Sequence, residues 1–199
     1  MEAHETHELI EQTEEAKHKS RNWTALVISI MAMVLAINNV GGGNASKEAT
    51  RHNIEASNYY AFYQAKSIKE HQLKIAADQL SDFSGLLLGS KAGSKEDAVL
   101  ATLNSRVIEY ANEINRYESD EKSGEGKKQL LVKAKEHEAE RDHSLKQDPW
   151  FDYAEGILQI GIVLLSISIL ASLPFLAIVG GGFGVIGALL TLNGFFLFI

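Results

Sequence analysis

Apolar residues concentrate in two blocks of the chain, Trp23–Val40 and Gly156–Ile199, with the polar stretch 41–150 between them. The second block runs for 44 residues without one charged side chain. A hydrocarbon core about 30 Å thick takes about 20 apolar residues per helical crossing. The second block is therefore long enough for two crossings, and Ser172-Leu173-Pro174 supplies the turn between them. The pattern predicts an all-α integral membrane protein with three transmembrane helices, one N-terminal and two in a C-terminal hairpin. The expected boundaries are a polar tail over 1–22, crossings over 23–40, 153–172 and 175–198, and a helical extramembrane domain over 41–150.

Residues 2–20 are polar and helix-compatible, with Leu9 and Ile10 as their only large apolar side chains. Gly41-Gly42-Gly43 is expected to interrupt the helix where the chain leaves the membrane, because glycine disfavours a helix interior. The helical pattern resumes over 45–83. There Phe62, Leu73, Ala76, Leu80 and Phe83 share a stripe with Lys66 and Lys69, beside a second stripe of Ala61, Ala65, Ile68 and Ile75. A loop is expected through Gly85, Gly89, Ser90 and Gly93, with Leu86-Leu87-Leu88 inside it, before Ser94 caps a new helix with Glu96 and Asp97 in its first turn.

Leu100, Leu103, Val107, Tyr110, Ile114 and Tyr117 recur in alternating steps of three and four, a coiled-coil-like seam. Ser123-Gly124-Glu125-Gly126 breaks it. A charged helix over 127–147 follows, with a thin apolar face of Leu130, Leu131, Ala134 and Leu145, and Pro149 is expected to end it. The extramembrane domain should be an antiparallel hairpin or a three-helix arrangement.

Charge adds orientation. Lys17, Lys19 and Arg21 crowd one flank of the first crossing, whereas Lys47 and Arg51 lie further off on the other. The positive-inside bias favours a cytoplasmic N-terminus, with 41–150 periplasmic or extracellular. The acidic opening and the lack of a small-residue cleavage pattern after Val40 predict a retained anchor rather than a removed signal. Trp23 and the group Trp150, Phe151 and Tyr153 suit interfacial belts, and Asn38 and Asn39 suit the interface. Acids and bases nearly balance across 41–150, so nucleic-acid binding, which needs a concentrated basic face, is not expected.

The candidate chemistry is sparse. The chain has no cysteine, hence no disulfide, thiol nucleophile or thiolate metal site. His4-Glu5-Thr6-His7 lacks the spacing of a catalytic zinc motif. His137 and His143, among Glu136, Glu138, Glu140 and Asp142, read as a solvated face. Gly180-Gly181-Gly182-Phe183-Gly184 has neither the preceding strand nor the following Lys-Ser/Thr of a phosphate loop. No nucleophile–base set is recognisable, so no catalytic residue, cofactor or metal is expected. With the boundary residue Glu155 set aside, no Asp, Glu, Lys, Arg or His lies within the crossings, which argues against an ion-coupled transporter.

Two groups of residues stand out. Small residues recur at helical spacing in each crossing: Ala25, Ser29, Ala32 and Ala36; Ala154, Gly161, Ser168 and Ser172; Ala177, Gly180, Gly184, Gly187, Thr191 and Gly194. In lipid, such stripes let helices approach closely, within a subunit or between subunits. Outside the membrane, Tyr59-Tyr60-Ala61-Phe62-Tyr63-Gln64 with Lys66 is either a packing cluster or a docking motif.

The stretch from Gly41-Gly42-Gly43-Asn44-Ala45 through Asn58-Tyr59-Tyr60-Ala61-Phe62-Tyr63-Gln64-Ala65-Lys66-Ser67-Ile68-Lys69 resembles the hallmark of a bacterial membrane family known as domain of unknown function 4337. Members of that family pair an N-terminal crossing and glycine-rich exit with a charged helical middle and a C-terminal hydrophobic hairpin. They often carry Trp where this chain has Tyr60. The resemblance implies a bacterial membrane location and this architecture, and no mechanism.

The expected function is a non-enzymatic, homo-oligomeric inner-membrane scaffold or ring, with the lipid bilayer and further copies of itself as partners. A pore component, or an accessory subunit that binds another membrane protein through the Tyr59–Lys69 segment, are the alternatives.

Overall fold

The computed structural model describes residues 2–89 and 94–198, and these residues are all-helical with no strand among them. Four helices follow in order: α1 (Glu2–Gly89), α2 (Ser94–Glu118), α3 (Lys127–Ala171) and α4 (Pro174–Phe196). Segments of α1, α3 and α4 are each long and apolar enough to cross a membrane. The contacts divide the chain into two units, one of residues 1–49 and 142–199, the other of residues 50–141.

Three sequence expectations about helix ends are corrected. Gly41–Gly43 lie inside α1 and do not interrupt it. A helical glycine costs only about 1 kcal/mol relative to alanine, and Gly41 lets aromatic rings reach the helix backbone. A Cβ built there would lie 2.6 Å from Phe151 and 2.7 Å from Phe195. Pro149 likewise lies inside α3. Pro149 and Leu145, whose carbonyl loses its partner to the proline, are both on the exposed side of the helix, where the gap is cheapest to solvate. The loop expected from Gly85 begins later, since α1 carries Leu86, Leu87 and Leu88 as helix through Gly89. Ser90 and Gly93, and the side chain of Ser94, lie outside the described residues.

The first unit packs large side chains onto small ones. Met31, Leu158 and Leu165 form its core, flanked by Val27, Ile28, Val34, Leu35, Ile162 and Ala177. On α4 the buried positions are Gly180, Gly184, Gly187, Thr191, Asn193 and Gly194, while Ile178, Val185, Ile186, Leu189 and Phe196 are exposed. The burial pattern is thus inverted relative to a domain folded in water, whose large apolar side chains go inside. Helix α3 ends at Ala171, where Ser172 takes a left-handed conformation (φ 53°) and Ser168 Oγ donates to the Leu173 carbonyl at 2.9 Å. Pro174 then opens α4 at a position where its missing N–H costs nothing.

The second unit is a three-helix arrangement. Lys127 of α3 meets Glu70 of α1, and His137 further along α3 meets His52 and Tyr59, so the two helices run antiparallel. The inward positions of α1 step by alternating threes and fours: His52, Ala56, Tyr59, Tyr63, Lys66, Glu70, Leu73, Ala77, Leu80, Ser84 and Leu87 are all buried or half-buried. The α2 positions Leu100, Leu103, Val107, Tyr110, Ile114 and Tyr117 turn inward as their spacing requires. On α3, Leu130 and Ala134 are buried, whereas Leu145, which falls in the first unit, is half exposed.

The apolar spacing of α1 selects a mixed face, of which Lys66, Leu73 and Leu80 turn inward. Phe62, Ile68, Ile75 and Phe83 point outward, between 45% and 60% exposed, and Ala61 and Ala65 lie on the same side. The inner face uses histidine, lysine and glutamate, whose polar ends are paired across the helices, and tyrosine, whose rings lie against an imidazole or beneath a lysine, so hydrophobicity alone does not select it.

Candidate functional site

Two clusters hold the polar chemistry of the second unit. At the first, His52 Nδ1 and His137 Nδ1 are 2.8 Å apart, so one imidazole donates while the other accepts. His137 Nε2 lies 3.0 Å from Glu55 Oε2. Tyr59 stacks on the same imidazole with ring centroids 5.4 Å apart, and Lys133 Nζ lies 5.8 Å from the Tyr59 centroid. Tyr60 donates its hydroxyl to Glu138 Oε2 at 3.0 Å, and that bond to a carboxylate raises the phenol above its ordinary value. His143, on the other hand, is exposed, as a solvated face requires.

At the second cluster, Glu70 is buried between Lys74 Nζ at 2.6 Å and Lys127 Nζ at 2.5 Å. The contact with Lys127 is a close ion pair rather than an aligned hydrogen bond. Lys127 reaches Glu118 Oε2 as well, at 2.7 Å, so one ammonium ties the end of α2 and the start of α3 to α1. The lysines hold the Glu70 carboxyl below the usual carboxylate range, with Lys127 the larger influence. Glu118 and Glu70 together raise Lys127 well above the usual lysine value. The intervening turn is closed by Asp120, which accepts from the Lys122 and Ser123 backbone N–H groups and is held low by them.

These geometries divide the tyrosine motif. Tyr59, Tyr60, Tyr63 and Lys66 face α2 and α3: Lys127 lies over Tyr63, and Lys66 pairs with Glu125 at 3.7 Å and lies over Tyr117. Phe62 and Gln64 face outward. Among the described residues no group of three histidine or acidic side chains is arranged to hold a metal ion. The side chains of His4 and His7 lie outside the described residues.

In the first unit, all six residues of the α4 stripe pack within the chain. Gly184 meets Met31, Gly187 meets Leu158, and Gly180 meets Leu165 with the Gly161 backbone beside it. Gly194 shares Phe151 with Gly41, while Ala177 lies against the core and Thr191 is buried. Phe151 is consequently a core residue, 3% exposed, and not part of an interfacial belt, whereas Trp23 and Tyr153 are exposed.

Asn38 was not singled out by the sequence as a packing residue. It is 1% exposed. Its Nδ2 donates to the Phe151 carbonyl at 2.9 Å, and its Oδ1 accepts from Thr191 Oγ1 at 3.0 Å. One amide thus joins α1, α3 and α4. Its place in step with Ile28, Met31 and Leu35 was the available signal. By contrast, Ala25, Ser29, Ala32 and Ala36 of the first small stripe are exposed, and α1 uses the opposite face.

No curated protein and no solved structure matches the chain. The model of one family, described as a domain of unknown function (DUF4337), matches residues 20–197. That match takes in all three apolar helices and both polar clusters, and the chain belongs to the DUF4337 family.

Proposed function

We propose that this chain is a non-catalytic, homo-oligomeric protein of the bacterial inner membrane, in which α1 of one subunit pairs with α1 of another to build a scaffold. The observation that carries the reading is the outer face of α1. Ile54, Ala61, Ala65, Ile68, Gln72, Ile75, Gln79 and Leu86 are exposed and follow one another in helical steps of three, four or seven. They sit two residues on from the inner seam, about 200° around the helix. Such spacing suits a second helix in a coiled-coil-like contact.

A second copy is the fitting occupant. Asp82 is the one charged residue in step with this face, in a chain whose net charge is −7, and the Gln72 and Gln79 amides both donate and accept, so each can pair with its own counterpart. In the first unit, the exposed Ala25, Ser29, Ala32 and Ala36 offer the close backbone approach that lipid-embedded helices use. The inverted burial of α4 supports lipid around that unit. Lys17, Lys19 and Arg21 support a cytoplasmic N-terminus, with 41–150 outside.

The test is the native mass of the full-length protein in mild detergent. The reading expects an integral multiple of 21.9 kDa, and a return to one chain when Ile68 and Ile75 are both changed to Lys. A wild-type particle of one chain, or an unchanged mass for the double variant, overturns it. A heavier particle of non-integral mass would favour an accessory subunit of another complex.

A further inference from the structure

Where α1 meets the α3–α4 turn, the first unit has a half-open cavity of about 200 Å³, lined by Ser20, Arg21 and Thr24 on one side and Ser168, Ile169, Ser172 and Pro174 on the other. Two of its hydroxyls are committed as donors, Thr24 to the Ser20 carbonyl at 3.0 Å and Ser168 to the Leu173 carbonyl at 2.9 Å. The Arg21 guanidinium and the Ser20 and Ser172 hydroxyls have no hydrogen-bond or ion-pair partner among the described residues. No acid occurs between Glu15 and Glu48, and none follows Glu155, so the flanking sequence supplies no carboxylate to Arg21. A guanidinium and two hydroxyls around one small cavity make a set of donors for a tetrahedral oxyanion, and phosphate fits the arginine fork.

We propose that this cavity binds the phosphate of an anionic phospholipid headgroup. The surroundings favour a lipid over free phosphate. An open apolar groove formed with Lys19, Asn22, Trp23 and Leu26 adjoins the cavity through Ser20. Near the turn, Leu170, Leu173 and Phe175 are exposed. A headgroup held at Arg21 therefore has apolar surface on both sides for its acyl chains, and Lys19 adds a second cation near the mouth. Phosphatidylcholine carries the same phosphate, but its choline offsets that charge and is repelled by Arg21 and Lys19, so a headgroup without a cation is preferred. The inference rests on the membrane placement proposed above and is independent of self-association.

The experiment is native mass spectrometry of the full-length protein from nanodiscs that contain phosphatidylglycerol, phosphatidylcholine, or both. The wild type should retain one phosphatidylglycerol through detergent washing, and Arg21→Gln should weaken that retention about tenfold. Arg21→Lys should fall between the two, and unchanged thermal melting shows that each variant is folded. Equal retention by Arg21→Gln, or equal retention of phosphatidylcholine, overturns the proposal. So does binding of inorganic phosphate alone with displacement of the lipid, which would make this a free-phosphate site. The Ile68→Lys, Ile75→Lys variant should keep its phosphatidylglycerol even where it loses its oligomer. Failure to enter nanodiscs would remove the membrane placement itself, whereas entry without a lipid preference would remove only this site.

Discussion

The two units solve the same packing problem with opposite chemistry. In each, α1 presents inward positions in steps of three and four. Before residue 50 these include Thr24, Ile28, Met31, Leu35, Asn38, Gly42 and Ala45, and they meet glycines, a few aliphatic side chains, Phe151 and Thr191. From His52 onward they include Tyr59, Tyr63, Lys66 and Glu70, and they meet charges and imidazoles. The membrane placement proposed above accounts for the difference. Beside an aqueous phase, long polar side chains can bury their stems and aromatic faces while their ends are paired or solvated. In lipid, association depends on contact between closely approaching backbones, and each extra methylene on the contact face holds them apart.

The comparison is broken most forcefully at Glu70. Removing one member of a buried ion pair leaves its partner's charge uncompensated, at a cost of about 3–5 kcal/mol. Glu70→Gln should sit at the lower end, because Lys127 retains Glu118. Hydrogen exchange on the full-length protein should show lost protection over residues 60–75 and 115–130, with little change over 154–194. The pH dependence follows from the same cluster. The Glu70 carboxyl is held below its ordinary 4.5, so its contribution is present above that pH and fades as pH falls through and below it. Lys127 is held above its ordinary 10.5, so its contribution is present below that pH and is lost only in stronger alkali. The contribution of the Glu70–Lys127 pair to protection of the second unit should therefore be flat across neutral pH and fall first in acid.

The next effect belongs to the first unit. Gly41→Leu forces side-chain atoms into the space that Phe151 and Phe195 occupy and should cost about 1–3 kcal/mol. Gly43, two residues away in the same helix, has open space where a Cβ would go. Gly43→Ala should be neutral or stabilising by up to about 1 kcal/mol, as intrinsic helix propensity predicts. Thermal melting of both variants in one detergent makes the comparison. Equal effects would mean that the aromatic contact at Gly41 contributes nothing.

These residues also show what the sequence could and could not disclose. The apolar blocks, the turn before Pro174 and the inward face of α2 were legible because each is marked by composition or spacing within one segment. Gly41–Gly43 were not, since glycine loosens an unsupported helix and equally admits a neighbour. The deciding neighbours, Phe151 and Phe195, lie more than a hundred residues further along the chain. The inner face of α1 was missed for a related reason: His52, Lys66 and Glu70 look solvated until their partners on α2 and α3 are known. The division of the tyrosine motif, with Phe62 outward and Tyr59, Tyr60 and Tyr63 inward, depends on that same face.

The smallest destabilisation is expected at Asn38, although its amide joins three helices. Interhelical hydrogen bonds in membrane proteins contribute about 0.6 kcal/mol on average, and rarely more than about 1.7. Loss of the amide orphans little, because Thr191 Oγ1 also lies 2.9 Å from the Gly187 carbonyl and can give its proton there. Asn38→Leu should therefore lower stability by about 1 kcal/mol, with part of that arising from the bulkier side chain. Combined with Thr191→Ala, it should show a coupling of a few tenths of a kcal/mol in a double-mutant cycle. A coupling as large as the loss at Glu70 would mean that the polar bond, rather than the glycine contacts, holds the first unit together, and the contrast between the two units would fail.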